Sequence, residues 1–151
     1  MVEPDQSTLS PKNVVVAEGK TVKIHYNWLR IMYAYTIVVA GGIGLLYLIS
    51  PGTFMSLCGF PSEEPIFAGV AASVWVAFAL LAILGLWSPL KFVPVLLMQL
   101  TYKLIWFIAV IIPGVIGGNL PSYSFPMVVI FATFIIGDLI AIPFNYVFAK
   151  D

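Results

Sequence analysis

Two residues of this chain combine reactive chemistry with an unusual setting. Lys103 and Asp138 each lie inside a long apolar run, Phe92 to Ile112 for the lysine and Phe125 to Phe148 for the aspartate. A charge at the centre of a membrane-spanning helix costs about 2.5–3.5 kcal/mol on insertion scales, so neither side chain is expected to face lipid alone. Lys103 is 11 residues past Phe92 and Asp138 is 13 past Phe125. Folding the two runs back on each other through a loop from Pro113 to Ser124 brings both to nearly the same depth, and this spacing predicts a Lys103–Asp138 ion pair. Gln99 precedes Lys103 by one helical turn, and Asn145 follows Asp138 by two, on the same faces unless Pro143 kinks the helix between them. In the other direction lie Trp106, Phe107, Val110, Phe131, Phe134 and Ile135, an aromatic plug. The expected site is a polar recess of Lys103, Asp138, Gln99 and Asn145, open or nearly open towards the cytoplasm and closed towards the outside. It could bind a polar or anionic group, or the head of a hydrophobic molecule. A buried charge pair can equally serve only to fix the register of two helices.

The elements that must position these residues follow from composition. The chain has 151 residues, of which 61% are hydrophobic and 9% charged, with a mean hydropathy of +1.03, against roughly 45–50% apolar and about 25% charged in soluble domains. Four runs, about 31–49, 66–87, 92–112 and 125–148, approach the roughly 20 residues a helix needs to cross a bilayer. Continuous stretches such as Ile105 to Ile112 and Val128 to Ile136 argue against the short alternating segments of a β-barrel. The fold expected is an all-α membrane protein, a four-helix transmembrane bundle of two antiparallel hairpins occupying 28–151. Residues 1–27 read as a polar cytoplasmic tail, with no apolar segment ahead of a cleavage site and hence no removable signal peptide.

Orientation follows from the cations, because Lys and Arg beside membrane helices are retained in the cytoplasm. Lys12, Lys20, Lys23 and Arg30 precede the first run, Lys91 lies between the second and third, and Lys150 follows the fourth, while the other two loops contain neither residue type. Both termini and the turn from Ser88 to Lys91 are therefore expected inside, in a plasma membrane. Trp28, Tyr26, Trp87, Tyr123 and Tyr146 fall near the expected helix ends, where amphipathic rings favour the headgroup zone.

Other chemistry is sparse. Seven Lys or Arg balance seven Asp or Glu, and no basic run could track a phosphate backbone, so nucleic acid is not an expected partner. Cys58 is the only cysteine and His25 the only histidine, so no disulfide, metal set or histidine-ligated cofactor is expected within the bundle. No nucleophile with a base is apparent, and no catalytic residue is assigned. Glu63 and Glu64, beside Pro65, read as carboxylates at the positive end of a helix dipole, and the stretch Phe54 to Phe60 as a loop lying on the outer leaflet. Small residues recur as Ala40, Gly41, Gly42 and Gly44, as Gly69, Ser73 and Ala77, and as Thr133, Gly137 and Ala141. Such stripes let membrane helices approach closely, within one bundle or against a second copy or a larger membrane complex.

The stretch from Leu86-Trp87-Ser88-Pro89 through Gln99-Leu100-Thr101-Tyr102-Lys103-Leu104-Ile105-Trp106, followed by Gly137-Asp138 and Ile142-Pro143, resembles small four-helix bacterial membrane proteins of the DoxX-like kind. The resemblance covers the four helices and implies a bacterial inner membrane location and, in some cases, association with quinone-linked electron-transfer complexes. It transfers no functional residue. Two roles follow as expectations: a small-ligand binding or transport module built on the Lys103–Asp138 site, or a non-catalytic accessory subunit of a larger membrane complex.

Overall fold

A computed structural model describes residues 14–17, 20–59, 61 and 65–149. Lys12, Lys150, Glu63 and Glu64, to which the sequence gives orienting and capping roles, lie outside the described residues. The chain is mostly helical, and four helices are long and apolar enough to cross a membrane: α1 (Tyr26–Ile49), α3 (Pro65–Trp87), α4 (Val93–Ile116) and α5 (Phe125–Ala141, entered through the turn Ser122–Ser124). Only 22% to 39% of the most apolar window of each of these spans is buried within the protein. Their outer faces carry residues such as Ile49, Phe67, Val74 and Ile116, a contiguous apolar surface that a bilayer solvates and water does not.

The helix ends differ from the apolar runs for local reasons. α1 starts five residues before Ile31, because Leu29, Met32 and Tyr33 form a buried stripe that draws the amphipathic segment around Trp28 and Arg30 into the helix. α4 continues through Pro113 to Ile116, just after a π-helical segment at Phe107–Ile111. Such local widening is how a helix accommodates a residue that lacks an N–H and crowds the preceding turn. α5 stops at Ala141, seven residues short of Phe148. Ile142 is extended, as the residue before a proline tends to be, and Pro143 starts a separate short helix, α6 (Phe144–Val147).

Three further elements have no counterpart in the sequence reading. In the N-terminal region, β1 (Val14–Ala17) and β2 (Lys20–Lys23) pair antiparallel, with Val14 opposite Lys23 and Ala17 opposite Lys20. The β-branched run Val14-Val15-Val16 was its signal. In the loop after α1, Pro51 at the first helical position starts α2 (Pro51–Cys58), which ends at Gly59 with φ 69°, a left-handed position that glycine adopts without strain.

Packing is closest where side chains are smallest. α1 runs along α3: a Cβ at Gly44 would stand 2.7 Å from the Ala72 carbonyl oxygen, one at Gly41 2.7 Å from the Ala79 side chain, and Tyr33 fills the space over Gly85. The first half of α1 also meets α5, where a side chain at Gly137 would run into Met32. α4 lies against α5. The main core gathers Leu29, Tyr33, Ala82, Leu96, Leu100 and Phe134 towards the 88–92 turn, and a smaller cluster of Tyr47, Phe54 and Ala72 sits beneath α2.

Candidate functional site

Gln99 and Lys103 stand one turn apart on the inner face of α4 and are 0% and 1% exposed. The Lys103 ammonium donates to the Gln99 side-chain oxygen at 3.2 Å and approaches its backbone oxygen at 3.5 Å. The Gln99 amide in turn donates to the Thr36 hydroxyl at 3.1 Å, and that hydroxyl donates to the Met32 carbonyl at 2.8 Å. This polar chain joins α4 to α1. The ammonium also lies 4.2 Å from the ring centre of Phe134, 4.5 Å from that of Tyr102 and 5.4 Å from that of Phe131, so the negative faces of aromatic rings supply part of its solvation.

Asp138 is 0% exposed, and both its carboxylate oxygens are buried without a hydrogen-bond partner. The direct ion pair expected from the spacing is not formed. The Lys103 stem turns back towards Gln99 and holds its charge over Phe134, which precedes Asp138 by four residues and so lies about one turn, roughly 5.4 Å, further along α5. At such a separation in a low-dielectric interior, opposite charges attract without touching.

Of the four expected site residues, three share this region and one does not. Asn145 is exposed on α6, because the break at Ile142 and Pro143 ends the helical register that would have carried it beneath Asp138. The recess is also closed where it was expected to open. Tyr33, fully buried, spans that end and donates a 2.7 Å hydrogen bond to the Pro89 carbonyl, with Leu29, Val93 and Leu96 packed around it.

Open space lies on the opposite side of the polar cluster. A cleft of about 680 Å³ separates α3 from α4 and α5, lined by Trp75, Tyr102, Trp106, Val110, Met127 and Phe131 among others. A void at Lys103, of only about 10 Å³, shares Trp75, Tyr102, Met127 and Phe131 with it. One layer of side chains therefore divides the cleft from the lysine. Within that layer Phe131 meets Trp75, Tyr102 and Trp106 edge-on at 6.4, 5.8 and 5.0 Å, and Tyr102 stacks on Phe78 at 5.7 Å. Of the residues expected to form an aromatic plug, Trp106 and Phe131 stand in this layer, which divides a polar cluster from an apolar cleft, while Phe134 lies against the lysine itself.

Thr36, Tyr33 and Tyr102 were not singled out from sequence. A threonine that can satisfy its hydroxyl on the carbonyl four residues back gives no signal of a longer-range partner, and a tyrosine in an apolar run reads as packing. Among the described residues no three His, Cys, Asp or Glu side chains come together as a metal site. No protein-family model, curated protein or solved structure matches the chain. The DoxX-like resemblance therefore has no support beyond the residues that suggested it.

Proposed function

We propose that this is a small membrane-embedded binding or transport module in which Lys103, Asp138 and Gln99 engage the polar group of a small, largely hydrophobic ligand. The observation that carries this reading is the Asp138 carboxylate, fully buried with both oxygens unpartnered. Burying such a group without a donor is costly, and intramembrane charges of this kind cluster at ligand, ion or proton sites. A ligand hydroxyl or amine could donate to Asp138, while Lys103 retains donor capacity towards an acceptor on the same molecule. The route would pass through the Trp75, Tyr102 and Phe131 partition, by rotation of rings.

The reading includes an orientation. Lys23, Arg30 and Lys91 are exposed and belong with the two termini on the cytoplasmic face of a bacterial plasma membrane, on the positive-inside rule. The reversed order of the α1–α3 contacts, Tyr33 with Gly85, Gly41 with Ala79 and Gly44 with Ala72, supports the antiparallel hairpin that this requires.

The test is purification in mild detergent followed by identification of bound small molecules. A stoichiometric compound lost from Lys103→Met and Asp138→Asn variants supports the module. A second reading, an accessory subunit, is favoured by one observation: on α3, Ser73 and Ala77 are exposed and a Cβ at Gly69 would meet nothing within 4 Å, so this small-residue face has no partner among the described residues. Stoichiometric partner chains in the same preparation, with no bound compound, would select that reading instead.

A further inference from the structure

We propose that the cleft between α3, α4 and α5, with the pocket adjoining it at Tyr47, binds one glycerolipid from the surrounding leaflet, its fatty chain in the cleft and an ester carbonyl on the Tyr47 hydroxyl. Tyr47 is 6% exposed, and its hydroxyl is buried with no hydrogen-bond partner. A buried donor left without an acceptor is unfavourable, so this hydroxyl marks a place where an acceptor belongs. Tyr47 lines a pocket of about 180 Å³ beneath α2, with Phe54 set edge-on to its ring at 5.4 Å. This pocket and the 680 Å³ cleft have Phe67, Ala71, Trp75 and Met127 in common, so an elongated molecule can occupy both. The cleft falls within the roughly 300–1,000 Å³ of known ligand cavities and has their predominantly apolar and aromatic lining.

Depth and charge select the occupant. Tyr47 is two residues from the end of α1 at Ile49, about 3 Å along the helix axis. The residue therefore stands near the level at which the hydrocarbon of a bilayer gives way to the polar interface. From there the cleft descends to Tyr102 and Phe131, beside the buried lysine. Its rim residues Phe67, Val74 and Val110 are exposed on membrane-spanning faces, so a lipid chain enters sideways without crossing water. None of the described residues lining either pocket is charged. The Tyr47 hydroxyl, a neutral donor, suits an ester carbonyl, whereas a fatty-acid carboxylate would be held there without a cation. The headgroup of an intact lipid projects past Ile49 into the interface. This site stands whether or not Lys103 and Asp138 hold a ligand of their own.

The experiment uses the full chain in mild detergent, washed free of lipid, titrated with dioleoylphosphatidylcholine or with oleic acid and read by native mass spectrometry. A single saturable phospholipid adduct is expected, with oleic acid bound more weakly. Tyr47→Phe should weaken the adduct about fivefold, the loss of one neutral hydrogen bond. Ala71→Phe, which places a ring in the wall common to both pockets, should abolish it. Ala71 is exposed, so this variant is expected to keep the helical circular dichroism and elution volume of the parent and carries the test even if Tyr47→Phe folds poorly. Absence of a saturable adduct, an adduct unchanged in Ala71→Phe, or preference for oleic acid would each overturn the proposal.

Discussion

Lys103 and Asp138 interact through a gap, and that geometry sets what their removal does. Lys103→Met leaves a fully buried carboxylate with no opposite charge nearby, at an expected cost of about 3 kcal/mol, the lower end for removing one member of a buried charge pair. Lys103→Met combined with Asp138→Asn removes both charges and is expected to recover most of that loss, as measured by thermal unfolding in detergent and by accumulation in membranes. A single substitution with no effect would show that the two charges do not sense each other. Thr36→Val strips the Gln99 amide of its acceptor and should cost about 1–2 kcal/mol, while Thr36→Ser, which restores the hydroxyl, should not. At this scale the sequence disclosed the two charges and Gln99, because charge inside an apolar run has no other explanation. It did not disclose that the lysine would turn to Gln99 rather than Asp138, since the direction a side chain takes within a span is set by packing that spacing along the sequence does not show.

Among the elements, the glycines divide by what stands opposite them. Gly44→Ala would press a methyl group against the Ala72 carbonyl of α3, and a cost of about 1–3 kcal/mol is expected from overpacking. At Gly42 nothing lies within 4 Å, so Gly42→Ala should be neutral or up to about 1 kcal/mol stabilising through helix propensity. The same detergent melting series checks both, and equal effects would contradict the α1–α3 contact described above. Four spans were legible because continuous apolar length is a strong signal, and three small-residue stripes were visible as well. Which stripe finds a neighbour was not legible: Gly41, Gly44 and Gly137 do and Gly42 and Gly69 do not, a distinction set by helix rotation. The sequence carries α5 on to Phe148 because the apolar run continues past Pro143, whereas the helix ends at Ala141.

For the whole molecule, sidedness is open to direct measurement through Cys58 at the end of α2, in the loop opposite the 88–92 turn. A membrane-impermeant maleimide added to intact cells should label it if the termini are cytoplasmic, and should fail to if they are outside. Burial pushes the Cys58 thiol above its ordinary range, so less thiolate exists at neutral pH; labelling should be slower than for a free thiol and should accelerate as pH rises. The chain linking Thr36, Gln99 and Lys103 uses α1 and α4 alone, and this has a consequence for biosynthesis. Asp138 is made 35 residues after Lys103, which is roughly 2–7 s at ordinary rates of translation. During that interval the lysine already has Gln99 as a partner, so a nascent chain ending before α5 can hold its cation in the bilayer. The aspartate reaches a membrane in which its counter-charge is already installed.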